Sequence, residues 1–228
     1  MKATSKLTNQ NSTNENITNV NMSKITSDNK FSNVATPLPV GKGPGERLIL
    51  HCCCAPCSSA ILEWMLQNGV KPTLFYCNPN IYPEEEYFIR KNELTRYAEK
   101  LGLEVIDEDY DHQSWLQEVC GLEDEAERGK RCLKCFKIRL LRTAQVAKQR
   151  GIQVFTTTLA SSRWKSLEQI EEAGTWAASQ VEGTEFWARN WRKGGLQQRR
   201  NELLRENQFY NQLYCGCEFS MQRLKKED

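Results

Sequence analysis

Leu48-Ile49-Leu50-His51-Cys52-Cys53-Cys54-Ala55-Pro56-Cys57 is a short apolar run that ends directly in a cluster of thiols. The apolar part has the length of a buried strand, and Pro56 marks the tight turn that follows. From Ser58 to Gln67 the residues Ile61, Leu62, Met65 and Leu66 recur at helical spacing, with Gly69 as the stop. Downstream the alternation repeats. Pro72 to Cys77 reads as a strand, followed by the turn-rich Asn78-Pro79-Asn80-Ile81-Tyr82-Pro83. A helix is expected from Glu84 to Lys100, closed by Gly102, and then a strand from Leu103 to Ile106. Cys132 to Gln149 reads as a helix closed by Gly151, and Gln153 to Thr157 as a strand. Helices near Ser166 to Gln180 and Gly195 to Gln208 complete the body.

Strands alternating with helices predict an α/β fold: a Rossmann-like parallel sheet with flanking helices and a helical C-terminal part. In such sheets ligands bind beyond the carboxyl ends of the strands, which is where the first cysteine cluster falls. The metal site is therefore expected there. There is no internal repeat and no glycine-rich phosphate fingerprint. The length of 228 residues favours a single domain, read here as a catalytic α/β unit over 47–228. Residues 1–46 are rich in Asn, Ser and Thr and lack the hydrophobic core of a signal peptide. They are expected to be a disordered tail, since so polar a stretch cannot offset its ordering entropy. No apolar run is long enough to span a bilayer, and a cytoplasmic protein is expected.

The chain carries 10 cysteines, and a body of this size folds without disulfides. Their grouping points instead to metal binding or redox cycling. Adjacent residues on an extended strand face opposite ways, so Cys53 and Cys54 share a centre only where the backbone turns. Cys57 falls at a helix start, where the dipole favours thiolate, the form that ligates metal. Cys132 and Cys135 are three apart at the start of another helix, so both can face one ion. These groups supply four or five thiolates, enough for zinc or an iron–sulfur cluster. Cys215-Gly216-Cys217 is a poor spacing for two ligands on one helix; it suits a strained, easily reduced disulfide or ligands from a loop. The plainer alternative is a structural zinc site with spare buried cysteines, but seven clustered cysteines exceed the four such a site uses. Cys52 completes the strand, and the isolated Cys77 and Cys120 read as ordinary buried thiols.

Charge is almost balanced, with Lys+Arg 31 against Asp+Glu 29, so the total names no partner. Locally, Arg189, Arg192, Lys193, Arg199, Arg200 and Arg205 face a single acid, Glu202, with Trp187 and Trp191 among them. Cations interleaved with indoles suit an RNA with exposed bases. A solvated helix face followed by a core strip is the alternative.

Taken in order, these motifs resemble the QueH-type epoxyqueuosine reductases. The resemblance runs from about Leu48 to Ser220 and rests on an ordered set of landmarks. They are His51 to Cys57, Asn78 to Pro83 with Glu86-Tyr87 and Arg90, and Arg131-Cys132-Leu133-Lys134-Cys135-Phe136. Thr157-Thr158-Leu159 with Ser162 and Lys165, and Tyr214-Cys215-Gly216-Cys217, complete the set. What the resemblance implies is reduction of the epoxide of epoxyqueuosine at the wobble position of tRNA, the last step of queuosine biosynthesis. It implies a 4Fe–4S cluster on Cys53, Cys54, Cys132 and Cys135, no cobalamin, and a redox-active pair, Cys215 and Cys217. An additional mononuclear iron is implied for some members, with Cys57 as its candidate ligand here. The implied partners are tRNA containing epoxyqueuosine and an unidentified electron donor, with no membrane. The chain departs from the pattern at Asn190 and Asn211, both in the segment turned toward the tRNA on this reading.

The chemistry also needs protons, for which Tyr82, Tyr87, Lys165 and Tyr214 are candidates of equal standing in the sequence. Two other classes share parts of this pattern. A PP-loop-like tRNA-modifying or sulfur-transfer enzyme needs a phosphate loop after the first strand, where this chain has cysteines. A zinc-stabilised RNA-binding module would be colourless.

Overall fold

The computed structural model describes residues 47–221; the expected tail lies outside them. Five strands, β1 (Leu48–His51), β2 (Thr73–Tyr76), β3 (Val105–Asp107), β4 (Val154–Thr157) and β5 (Glu185–Phe186), form one parallel sheet in the order β3-β2-β1-β4-β5. The apolar opening run is the central strand, and every residue of β1 is buried, as a parallel strand covered on both faces must be.

Helices α1 (Ala55–Gln67), α2 (Glu84–Lys100), α3 (His112–Glu118), α4 (Lys130–Gln149), α5 (Leu167–Gln180) and α6 (Leu196–Glu206) connect and flank the strands. α1 packs against α2 and α6, while α4 packs against α5 and under β1 and β4. Chain order departs from β1 toward β2 and β3 on one side, and returns to β4 and β5 on the other. The reversal falls between β1 and β4, and opens a crevice at their carboxyl ends. His51 ends β1 and Thr157 ends β4, so the residues after them share that crevice.

The expected α/β architecture is present, with shifts at the ends. α1 begins at Ala55, before the expected Ser58, because Pro56 is compatible with a first helical turn; Cys57 is therefore inside that turn. α4 begins at Lys130, capped by Gly129, which puts Cys132 in its first turn. α2 has the expected bounds, with Glu84, Glu85 and Glu86 on its positive end. Two elements were not read from the sequence: α3, capped by the Asp111 carboxylate, and the two-residue β5. A 3-10 turn at Thr158–Ser161, capped by the Thr157 hydroxyl, carries the chain off β4 into the crevice. Among the described residues no helix is long and apolar enough to cross a membrane.

Candidate active site

The crevice is braced from below by His51, which is wholly buried. Its Nε2 lies 3.1 Å from the Cys77 carbonyl, which can only accept, so Nε2 carries the proton. Nδ1 then accepts the Thr157 hydroxyl at 2.8 Å, joining the ends of β1 and β4. Burial, followed by the charge of Arg139, pushes the imidazole down to about 3. It is a neutral brace.

Just above, Cys53, Cys54 and Cys57 bring their sulfurs within 4.8 Å of one another. The backbone bends at Cys53 and enters α1 at Cys54, its N-cap, which is why neighbours in sequence face the same point. Thr158 holds the bend, its hydroxyl accepting the Cys53 N–H at 3.2 Å and reaching Cys53 Sγ at 3.5 Å. Cys54 Sγ lies 3.2 Å from Gln212 Oε1 and 3.8 Å from Cys53 Sγ. Within the trio the thiolate form is favoured on Cys53. Hydrogen bonds from Cys54 and Cys57, then the Lys165 ammonium, hold the Cys53 thiol well below its ordinary range. Burial pushes Cys54 up, and its bond to Cys53 pushes Cys57 up to about 11.

The Cys53 and Cys54 sulfurs are 3.8 Å apart. Four thiolates around one ion at about 2.3 Å stand about 3.8 Å from each other, the edge of a tetrahedron. By donor type and spacing, the three thiols fit one metal ion.

A second group surrounds a cavity lined by Cys132, Cys135, Cys215 and Cys217, together with Asn80 and Lys165. Cys132 accepts the Arg128 N–H at 3.3 Å, yet burial pushes its thiol up to about 11. In the Cys-Gly-Cys pair the thiolate form is favoured on Cys215 over Cys217. A hydrogen bond from Cys217, then Lys165 and Ser220, holds Cys215 well below the ordinary thiol range, while the same bond pushes Cys217 up. Lys165 lines this cavity, and against the cost of burial its ammonium is favoured by the charges of Cys215, Cys53 and Cys57. All ten cysteines are free thiols.

The Cys215–Cys217 segment is held against the loop after β2. Cys217 bridges Ile81, and the Tyr82 N–H donates to the Gly216 carbonyl at 2.8 Å. Tyr214 donates its hydroxyl to the Tyr82 carbonyl. Arg90, paired with Glu86 at 2.6 Å, donates to the carbonyls of Cys215 and Tyr214. Gly216 has φ +102, and a Cβ there would lie 3.0 Å from Arg90 Nη1 and from Ile81 Cγ1. No other residue fits between the two cysteines without strain.

The structure thus brings Cys53, Cys54 and Cys57 together, and separately gathers Cys132, Cys135, Cys215 and Cys217. Of the proton-donor candidates, Lys165 lines the thiol cavity, whereas Tyr87 and Tyr214 spend their hydroxyls on main-chain carbonyls. Cys77 is buried as expected, but Cys120 is exposed, because it follows α3 in a surface turn. α3 also supplies what the sequence reading missed: His112 stacks between Tyr82 and Trp115, and donates from Nδ1 to the Pro79 carbonyl at 2.7 Å. Asp111 followed by Trp115 and Val119 was the available signal of a capped helix.

The expected RNA-stacking surface around Trp187 and Trp191 is overturned. Trp187 is 6% exposed and Trp191 0%, and both pack on Trp64 of α1. Arg189 is enclosed among those three rings, 4.0 Å from the centre of Trp64. Arg199 is engaged by Glu63, Glu202 and Glu206, and Arg192 by the carbonyls of Ser162 and Lys165. The tryptophans are core, because α6 and the segment before it close over α1.

A family profile described as "Epoxyqueuosine reductase QueH" matches residues 48–223, nearly the whole described body and every cysteine. The chain belongs to the epoxyqueuosine reductase QueH family. An epoxyqueuosine reductase QueH of Histophilus somni (strain 129Pt) is 44% identical over 200 residues, 88% of this chain and 81% of its own. One from Acinetobacter baylyi is 44% identical over 176 residues, covering 77% and 81% of the two chains. One from Haemophilus influenzae is 44% identical over 181 residues, covering 79% and 74%. Membership of the QueH family makes the chain an oxidoreductase and ties it to queuosine biosynthesis.

Proposed function

We propose that the chain reduces the epoxide of epoxyqueuosine to the alkene of queuosine at the wobble position of tRNA, in the cytoplasm. Residues 47–228 act as one catalytic α/β unit. The observation that carries this reading is the gathering of Cys132, Cys135, Cys215 and Cys217 with Lys165 around one cavity, in a chain of the QueH family. Opening the epoxide and removing its oxygen consumes two electrons and two protons and yields one water. With Cys215 as thiolate, oxidation of the Cys215–Cys217 pair to a disulfide releases two electrons and one proton, and the Lys165 ammonium supplies the second proton, so that exchange balances. The unidentified donor then restores the dithiol. Cys215, held toward thiolate, is the thiol poised to react. Lys165 lies where an ammonium can stabilise charge developing on the departing oxygen.

The metal ligands belong to the same reading. Cys53, Cys54, Cys132 and Cys135 would hold a 4Fe–4S cluster, and Cys57, beside Cys53 and Cys54, would be a ligand of an additional mononuclear iron. When bound, a cluster passes single electrons and an iron ion acts as a Lewis acid toward oxygen.

Anaerobic purification, with counts of iron, zinc and sulfide, tests the assignment. Serine at Cys53, Cys54, Cys132 or Cys135 should lose iron and sulfide, whereas Cys57→Ser should lose iron and keep sulfide. Cys215→Ser should keep both yet fail to reduce epoxyqueuosine in tRNA. A zinc protein without sulfide, or normal cluster content in all four variants, would refute it.

A further inference from the structure

With Trp187 and Trp191 in the core, neither offers a face on which a base could stack. Trp164 is 62% exposed, the most open of the exposed aromatic side chains. Isolated exposed apolar residues are ordinary on a protein surface, and Phe88, Ile89 and Leu213 need no further account. Trp164 differs in three respects. It lines the cavity that also exposes Cys132, Cys135, Cys215, Cys217 and Lys165. The Arg163 guanidinium lies 4.8 Å from the centre of its ring. Its backbone is pinned, since Arg128 donates from Nε to the Trp164 carbonyl at 2.9 Å and from Nη2 to the Arg163 carbonyl at 3.0 Å.

Arg128 adopts φ 66, a conformation that is costly for a residue with a side chain. It is held there from both sides: its carbonyl accepts Gln169 Nε2 at 2.8 Å, and its N–H reaches Cys132 Sγ. One residue thereby fixes the loop that carries the indole relative to the helix that carries Cys132. The indole is a rigid, half-open face beside the reacting thiols. Arg163, Arg128 and Lys165 put positive charge around it, against the single carboxylate of Glu127 on the cavity lining.

We propose that Trp164 is the platform on which a nucleobase of single-stranded RNA stacks at the mouth of the thiol cavity, with Arg163 contacting the adjoining phosphate. This rests on the proposed function, in which the reacting base belongs to an anticodon loop. An anticodon nucleotide is already free of a duplex, so stacking and phosphate contacts suffice to seat it. A flat π-face beside a cation is what such a nucleotide requires.

The test uses the anaerobically purified, metal-loaded protein and an anticodon stem-loop RNA carrying epoxyqueuosine. Trp164→Ala should raise Kd and KM for that RNA by about ten- to a hundredfold, the range of one lost base stack. Iron and sulfide content should not change, because the bond from Arg128 goes to the Trp164 main chain. Trp164→Phe should recover most of the affinity. Arg163→Gln should weaken binding and reduce the slope of log Kd against log salt by about one, while Trp164→Ala leaves that slope unchanged. Wild-type affinity in Trp164→Ala, with the wild-type protein active, would overturn the platform and leave the reductase reading intact. A wild-type protein that neither binds nor reduces the RNA would overturn both.

Discussion

Arg90 donates from Nη1 to the main-chain carbonyl of Cys215 at 3.3 Å, joining a buried residue of α2 to a thiol 125 positions away. Glu86 neutralises the guanidinium, so burial of Arg90 does not leave a lone charge in the core. The pair sets the height of the Cys-Gly-Cys segment over the crevice. A dithiol can serve the reaction only if this segment is held in place.

Gly216→Ala should therefore impair turnover without emptying the metal site. A Cβ there must displace Arg90 or Ile81, and φ +102 adds strain of about 1–3 kcal/mol. We expect kcat on epoxyqueuosine RNA to fall roughly tenfold or more, with iron and sulfide content retained. Full activity would show that the segment does not need its observed register.

Arg199→Ala should act on stability and not on RNA binding. Arg199 ties α6 to Glu63 of α1 at 2.6 Å and also meets Glu202 and Glu206. Its removal leaves Glu63 half-buried without this partner, at a cost of about 1–3 kcal/mol, below that of a fully buried pair. A lower urea midpoint, with unchanged salt dependence of RNA affinity, is the expected result.

His51 should make the metal-free protein acid-sensitive. Its folded value of about 3 lies below the unfolded value of 6.5. Between the two, the unfolded chain binds the extra proton, so stability is full above about 6.5 and is lost as pH falls toward 3. Urea titrations of metal-free protein across pH 7 to 5 should show this slope, and His51→Gln should flatten it. An equal slope in the variant would assign the acid loss to other groups.

Much of this protein is legible in one dimension. The run from Leu48 to Leu50 marks the central strand, because only a strand covered on both faces is apolar without alternation. The sequence bounds of α2 match its observed ends, since three glutamates favour its first turn and Gly102, at φ 64, suits its exit. The cysteine groups and the family also stand in the sequence, because ligand type and spacing are local properties.

What lay beyond the sequence were relations between segments far apart in the chain. β5 has two residues and no periodicity to read, and forms only because β4 offers it an edge. Trp187 and Trp164 are alike as letters in a basic stretch, yet one is core and the other lines the thiol cavity. Burial depends on whether another element packs over a side chain: Trp187 is 6% exposed beneath α1 and α6, whereas Trp164 stays 62% exposed. The sorting of seven thiols into a close trio and a cavity-lining four has the same origin. Sheet order sets down the ends of β1 and β4 side by side, and the bonds from Arg90, Tyr82 and Thr158 decide where each sulfur stands. Local pattern determines which elements form and which side chains they carry; only packing determines which of those side chains meet.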